Sequence, residues 1–157
     1  MTTLPPATRQ FTLDEANRTL PLVRRIVRDI VVLFADVQQR FERLSDIEGD
    51  PDSISIGGNS LSGDELREMQ ADLDADQDRL RDFFHELAEI GAELKDPITG
   101  LVDFPTVVDG VDAYLCWKLG EDEIGFWHRQ DTGFAGRHSV HDATQIGPHD
   151  DSADLII

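Results

Sequence analysis

The chain has 157 residues, of which 39% are hydrophobic and 29% charged, and this predicts one globular domain with a buried core. Its 32 acidic residues outnumber its 14 basic residues, which gives a formal net charge of -18. Such a surface repels phosphate backbones and anionic lipids, so we expect no nucleic-acid and no membrane partner. A single cysteine excludes an intrachain disulfide, and the first residues lack an apolar targeting segment, so we expect a cytoplasmic protein.

The first helix is predicted from Thr12 onward. Thr12 followed by Glu15 forms a capping box, a typical start of a helix. Apolar residues then recur at alternating steps of three and four, which is a heptad seam made of Leu13, Ala16, Leu20, Val23, Val27, Ile30, Phe34, Val37, Phe41 and Leu44. Pro21 interrupts this seam, so we expect either a kink or a division into two helices. The unbroken phase of the seam favours the kink.

A second helix is predicted after a loop at 45–63 that is rich in Gly, Pro, Asp and Ser. Ser62 and Glu65 form another capping box, and a second seam follows, made of Leu66, Met69, Leu73, Leu80, Phe83, Leu87 and Ile90. Asp76 occupies one seam position, where it either fixes the register of the two helices or faces solvent. Two long helices joined by a loop predict an antiparallel hairpin over about 12–91, ending near Gly91.

The region 92–138 has the turn residues and short apolar segments that are typical of strands. An apolar segment at 101–104 is expected to end at Pro105, and residues 111–119 alternate between apolar and polar. Residues 124–129 are expected to return as the next strand, with Leu119 opposite Ile124. This pairing sets Trp117 opposite Phe126, Cys116 opposite Trp127 and Leu115 opposite His128.

The predicted fold class is therefore α+β, with a long antiparallel helical hairpin followed by a small antiparallel β-sheet. We expect a single domain over 11–140, with flexible termini at 1–10 and 141–157. The strand pairing above places His128 and Phe126 on the apolar face of the sheet, together with Trp117. It places Cys116 on the opposite face.

Several stretches of the chain also resemble a known family. They are FTLDEAN (11–17), LP (20–21), LKD (94–96), GLVDFP (100–105), YLCWKLGE (114–121), WH (127–128) and GFAGR (133–137). Over about 11–138 the chain resembles a family of bacterial proteins called domain of unknown function 2203. The resemblance implies a single bacterial domain and brings no activity with it, so the function stays open.

One part of this acidic chain has an excess of positive charge. His128, Arg129, Arg137, His138 and His141 lie within fourteen residues and border a glycine-containing loop. Arginine side chains and loop N–H groups together suit a carboxylate or a phosphate, which makes this region a candidate anion site. We name Glu121, His128, Arg129 and Arg137 as its residues. The alternative is that these cations pair with nearby acids such as Glu121, Asp122 and Asp131.

A metal site is a weaker hypothesis, with His128, Glu121, Cys116 and either His138 or Asp103 as potential ligands. The predicted pairing puts Cys116 and His128 on opposite faces, and no CxxC, HxH or HExxH spacing occurs. We therefore predict no metal and no cofactor. Cys116 could act as a nucleophile only if a cation lowered its pKa, and no base is fixed beside it.

The middle of the first helix carries further apolar residues off the seam, namely Leu22, Ile26, Val31 and Leu33. A helix that is apolar around much of its circumference is covered on more than one side, so we expect a homo-oligomer, a dimer, formed through this helix. The leading hypothesis is a non-enzymatic cytoplasmic interaction or scaffold module, with a further protein partner left open.

The alternative hypothesis is a small anionic-ligand-binding protein or an enzyme, with its site at the sheet and the glycine loop. Arg129 and Arg137 would hold the anion, His128 would act as acid or base, and Glu121 would orient His128. A pocket containing both Arg137 and His128 would favour this alternative. An ion pair between Arg137 and an acid, with His128 buried, would favour the scaffold.

Overall fold

The computed structural model describes residues 9–49, 63–132 and 136–148 of the chain. Within these residues the chain forms two α-helices followed by five strands. The elements are α1 (Leu13–Gly49), α2 (Gly63–Ile90), β1 (Glu93–Asp96), β2 (Leu101–Val108), β3 (Val111–Lys118), β4 (Phe126–Arg129) and β5 (His138–Ser139). All paired strands are antiparallel, and they lie in the sheet in chain order. The predicted α+β class, a helical hairpin followed by a small antiparallel sheet, is confirmed.

Helix α1 begins where the capping box predicts. The backbone N–H of Glu15 donates a hydrogen bond to Thr12 Oγ1 at 3.1 Å. The helix continues through Pro21, so the alternative of two separate helices is wrong. Leu20 and Val23, on either side of Pro21, are buried in the core. Packing of this face therefore holds the helix together where its backbone hydrogen bonding is weakened.

The two helices pack against each other along their seams. Leu73, Leu80 and Leu87 of α2 are buried in the same core as the seam residues of α1. Asp76 is paired with Arg40 of α1, so its seam position holds an ion pair between the helices and favours the register role. Helix α2 ends at Ile90, next to Gly91 with φ +101°, as predicted. Ser62, the predicted cap of this helix, lies outside the described residues.

The main core lies between α1 and one face of the sheet. Val102, Phe104, Leu115 and Trp117 are fully buried, and they pack in one cluster with Val23, Val27 and Ile30 of α1. Alternate residues of β2 and β3 therefore point toward the helix, as the alternating pattern of 111–119 predicts. We call the other side of the sheet, which faces away from α1, the polar face.

Strand β2 extends further than predicted, because it continues through Pro105 to Val108. Strand β1 pairs only with the first residues of β2, so β2 has no neighbouring strand on that side at Pro105. The carbonyl of Pro105 points to that side and accepts a hydrogen bond from Phe11 N at 2.8 Å. The missing N–H of proline therefore costs no ladder hydrogen bond there.

The predicted pairing of β3 with β4 is wrong by one residue. Tyr114 lies opposite His128, Leu115 opposite Trp127, and Cys116 opposite Phe126. Because side chains alternate along a strand, this shift moves His128 and Phe126 to the polar face, together with Cys116.

Ile124 explains the difference, because it does not belong to a strand. Its side chain is buried in the core, and its N–H donates to Asn17 Oδ1 of α1 at 2.9 Å. The connection between β3 and β4 therefore dips toward the helix before β4 begins at Phe126.

Residues after β5 return to the end of β2 and the turn that joins it to β3. A 3₁₀ helix at Val140–Asp142 follows β5 directly. Gly147 N then donates to Val107 O at 2.7 Å, and Gln145 N donates to Asp109 Oδ1 at 2.8 Å. The chain is thus hydrogen-bonded to the β2–β3 turn up to this point. Of the flexible termini predicted at 1–10 and 141–157, residues 1–8 and 149–157 lie outside the described residues.

Candidate functional site

Three chemically reactive side chains are buried together on the polar face. They come from three neighbouring strands: Asp103 from β2, Cys116 from β3 and His128 from β4. Asp103 lies directly opposite Cys116, and His128 is one pleat further along β4. Asp103 is 3% exposed, Cys116 is 0% exposed and His128 is 5% exposed. Aspartate and histidine are rarely buried to this extent without specific partners.

Hydrogen bonds fix the ring of His128. Its Nδ1 lies 2.8 Å from the carbonyl oxygen of Arg129, and its Nε2 lies 3.1 Å from Asp103 Oδ2. A carbonyl oxygen can only accept a hydrogen bond, so Nδ1 carries a hydrogen. In the neutral imidazole, Nε2 would then turn a lone pair toward a carboxylate oxygen. The contact between His128 Nε2 and Asp103 Oδ2 therefore requires a proton, or another cation, between these two atoms.

Cys116 completes the cluster. One ligand atom from each of Asp103, Cys116 and His128 lies within 4.8 Å of the other two. Burial, and next the negative charge of Asp103, raise the pKa of the Cys116 thiol to about 12. The thiol is therefore protonated at neutral pH, which argues against a free thiolate nucleophile.

Burial makes the charged form of the Asp103 carboxyl group unfavourable. Burial raises its pKa, and the charge of the neighbouring His128, together with side-chain hydrogen bonding to His128 and to Cys116, opposes this effect. Its second oxygen, Oδ1, is buried and has no hydrogen-bond partner among the described residues. A buried carboxylate oxygen without a donor costs free energy, so this atom needs an explanation.

The cluster opens on one side to a cleft of about 310 Å³. The residues that line the cleft are Lys95, Leu101, Asp103, Tyr114, His128, Gln130 and Thr132. The Tyr114 ring lies 5.5 Å from the His128 ring, and Lys95 Nζ lies 5.3 Å from the Tyr114 ring. Asp103 and His128 thus form part of the wall of the cleft, and Cys116 is not one of its lining residues.

The four residues of the predicted anion site do not meet at one place. Arg137 forms an ion pair with Glu121 at 2.9 Å, and its guanidinium lies 3.7 Å from the centre of the Phe126 ring. Arg129 is exposed and lies opposite Ala113, so it belongs to the other face of the sheet from His128. The cleft contains His128 but not Arg137. The two other histidines of that region also lie elsewhere, since the His138 ring lies 4.9 Å from the Trp127 ring and His141 lies in the 3₁₀ helix.

All three residues of the cluster are candidate metal ligands from the sequence, but the sequence does not bring them together. The expected pairing separates Cys116 from His128, and the structure places both on the polar face with Asp103. The sequence contains one indication of this arrangement, which is the length of the connection between β3 and β4. Seven residues, from Leu119 to Gly125, separate the observed ends of these strands. A connection of this length does not dictate the register that a tight turn would.

The fold and the cluster define an α+β domain in which a helical hairpin covers one face of an antiparallel sheet and a buried Asp–Cys–His cluster lies on the other. The family described as "Uncharacterized conserved protein (DUF2203)" matches residues 9–140, and the chain belongs to this family. No curated protein and no solved structure gives a significant match. Neither helix, over its described residues, is long and apolar enough to cross a membrane.

Proposed function

We propose that the protein is a non-enzymatic interaction module of the bacterial cytoplasm that forms a homodimer through its helical hairpin. The observation that carries this proposal is an apolar groove of about 380 Å³ between α1 and α2. Its apolar lining residues are Phe34, Val37, Phe41, Leu80 and Phe84. Phe41 is 56% exposed, although it occupies a seam position of α1. Large apolar side chains that are left open in a groove mark surfaces that bind protein.

The distribution of burial along α1 explains why the groove exists. From Ala16 to Ile30 the helix is buried repeatedly by the sheet, whereas from Val31 to Ser45 only Val37 and Leu44 are buried. We call the second part, together with residues 63–84 of α2, the helical arm. Two helices alone cover only a narrow seam of each other, so the neighbouring apolar residues of the arm stay open.

A second copy of the chain is the partner that fits this arm. Two antiparallel hairpins can pack as a four-helix bundle around a two-fold axis, and the same groove then serves both subunits. Each chain carries a formal charge of -18, so the two copies repel each other. Salt screens this repulsion with a Debye length of about 8 Å at physiological ionic strength, so dimerisation should strengthen as salt is added.

Sedimentation equilibrium at micromolar concentration and at two salt concentrations tests the proposal. We expect the wild type to be dimeric, with Phe41→Ala and Phe84→Ala shifted toward the monomer. Ile98→Ala is the matched control, because Ile98 is 71% exposed in the β1–β2 turn, away from the arm. A wild type that stays monomeric in both salts would refute the proposal, as would an equal shift in the control.

A second candidate function is the binding or conversion of a small anionic ligand in the cleft beside His128. Lys95 and His128 both line this cleft, so an anion there would contact Lys95 in the role that the sequence predicts for Arg129 and Arg137. The pairing of Arg137 with Glu121 and the burial of His128 leave self-association as the better supported function. A thermal shift with phosphate or a dicarboxylate that disappears in Lys95→Gln would reverse this order.

A further inference from the structure

The Asp103–Cys116–His128 cluster has three features that a simple buried ion pair does not explain. It combines oxygen, sulfur and nitrogen donors, it includes the only cysteine of the chain, and it leaves Asp103 Oδ1 without a donor among the described residues. An ion pair between Asp103 and His128 leaves the presence of Cys116 in the cluster unexplained. The features left to explain are the mixed set of donor atoms and the carboxylate oxygen Asp103 Oδ1.

The orientation of His128 is that of a metal ligand. Metal-binding histidines usually donate the hydrogen of one ring nitrogen to a carbonyl or carboxylate, which directs the other nitrogen at the metal. His128 Nδ1 makes this contact with the Arg129 carbonyl at 2.8 Å. Nε2 therefore points into the cluster, toward Asp103 and Cys116.

The spacing of the donor atoms also fits. With bonds of about 2.0 to 2.3 Å, the ligand atoms of a tetrahedral zinc ion lie about 3.3 to 3.7 Å apart. His128 Nε2 and Asp103 Oδ2 are 3.1 Å apart, and all three ligand atoms lie within 4.8 Å of one another. Small side-chain rotations would thus bring them into a first coordination sphere. The strands that carry them are held together by the ladder of the sheet, which keeps the site preformed.

We propose that Asp103, Cys116 and His128 bind a divalent transition-metal ion of the zinc class, with a fourth coordination position open to the cleft. A mixed set of thiolate, imidazole and carboxylate suits zinc, whereas magnesium and calcium take oxygen donors and copper(I) takes sulfur donors. Asp103 and His128 line the cleft and Cys116 does not, so the open position faces the cleft. Coordination through Oδ1, in place of Oδ2 or together with it, would also satisfy the carboxylate oxygen that has no donor among the described residues. The proposal is independent of dimerisation through the helical arm.

Cobalt(II) is the probe for this site, because a cobalt–thiolate bond gives an intense charge-transfer absorption in the near ultraviolet. The full chain is stripped with a chelator and titrated with cobalt, and zinc is then added in competition. We expect binding of about one ion per chain, as for a single tetrahedral site, with a charge-transfer band that zinc removes. The near-isosteric variant Cys116→Ser should lose this band. It should also bind cobalt at least about tenfold more weakly, because the loss of a residue that only hydrogen-bonds to a metal ligand already weakens metal binding by that factor.

A matched pair of histidine variants separates a metal site from a generic histidine–carboxylate pair. His85 Nε2 lies 3.1 Å from Glu89 Oε1, the same separation as in the cluster, but this pair is on the exposed surface of α2. His128→Asn should weaken cobalt binding, and His85→Asn should leave it unchanged. Circular dichroism on each variant shows whether the fold is retained.

The proposal is overturned if the wild type shows no charge-transfer band in excess cobalt. It is equally overturned if a folded Cys116→Ser keeps the band, or if His85→Asn weakens binding as much as His128→Asn does. Should His128→Asn fail to fold, the wild-type titration and Cys116→Ser still decide. Sedimentation in chelator keeps the outcome separate from the proposed function, because removal of the metal should leave the dimer intact.

Discussion

Replacement of Asp103 by asparagine should leave the metal-free protein as stable as the wild type, or more stable, while it removes most of the stabilisation by zinc. The reason is the hydrogen on Nδ1 of His128, which leaves Nε2 as an acceptor in the neutral ring. An asparagine amide N–H can donate to Nε2 at the 3.1 Å separation now held by the carboxylate. The variant thus keeps a hydrogen bond and removes a buried acid.

The size of the effect follows from these hydrogen bonds. The amide hydrogen bond is worth about 0.5–1.5 kcal/mol net, which offsets the removal of the carboxylate from His128. The variant also avoids the desolvation cost of the buried carboxylate, so we expect a change between zero and a gain of about 2 kcal/mol in the free energy of unfolding. Asp103→Ala is the contrasting variant, because it leaves Nε2 of His128 unpaired. That variant should be less stable than the wild type by about 1–3 kcal/mol.

Urea unfolding in the presence of a chelator, over a series of pH values, measures these differences. Burial raises the pKa of Asp103 in the folded protein above its ordinary value of 3.8. The protonated form is therefore favoured by folding, and the wild type loses stability as the pH rises from 3.8 through the raised pKa. Asp103→Asn has no such loss, so its advantage should grow over this window and then level off.

Zinc provides the second arm of the assay. At a hundred times its dissociation constant a ligand stabilises a protein by about 2.7 kcal/mol, and Asp103→Asn should lose most of this gain. A variant that is less stable than the wild type by more than about 1 kcal/mol at neutral pH, with no dependence on pH, would refute this description of the cluster. It would show that the Asp103–His128 ion pair stabilises the fold by itself.

Two further predictions concern the scaffold. Gly100→Ala should lower the free energy of unfolding by roughly 2–4 kcal/mol, because a Cβ there would lie 2.8 Å from Leu119 Cβ at a φ of +77°. Gly110→Ala, at φ +82° with open space around it, should lose only about 1–2 kcal/mol, and equal losses in thermal unfolding would contradict the steric argument. The hydrogen bond from Arg40 lowers the pKa of Asp76. The ion pair between Arg40 and Asp76 therefore stabilises the fold fully at a pH above 3.8, the ordinary pKa of aspartate. This stabilisation is lost as the pH falls through the lowered pKa of Asp76. Asp76→Asn should flatten this acid-side loss in a pH series of melting temperatures, and an unchanged slope would argue against the ion pair.

The helices could be predicted from the sequence because their signals are local. The Thr12 cap and the seam steps of three and four depend on residues within one or two turns of each other. The unbroken phase of the seam favours the continuation of α1 through Pro21, but the sequence leaves the division into two helices open, because the outcome also depends on packing against the sheet. The same holds for β2, where Phe11 from a distant segment accommodates Pro105.

The register of β4 could not be predicted from the residues of the two strands alone. The alternation of 111–119 fixes which residues of β3 face the core, but Phe126 and Trp127 are both aromatic and suit either face. The choice is made by Ile124, whose side chain enters the core and whose N–H binds Asn17. An error of one residue is enough to hide the cluster, because it moves His128 to the wrong face.

The two faces of the sheet obey different physical demands, and this difference connects the fold to the site. Apolar packing on α1 accounts for the inner face and needs no polar group there. On the polar face, well-packed apolar residues in place of Asp103 and His128 would give a free energy of unfolding at least as large. The reason is that the attraction within a buried ion pair rarely outweighs the cost of removing the two charges from water. A ligand that binds only the folded state supplies the missing free energy, and a metal ion held by three strands would do so. The polar face lies on the other side of the sheet from α1, so binding there and dimerisation through the arm can be measured one at a time.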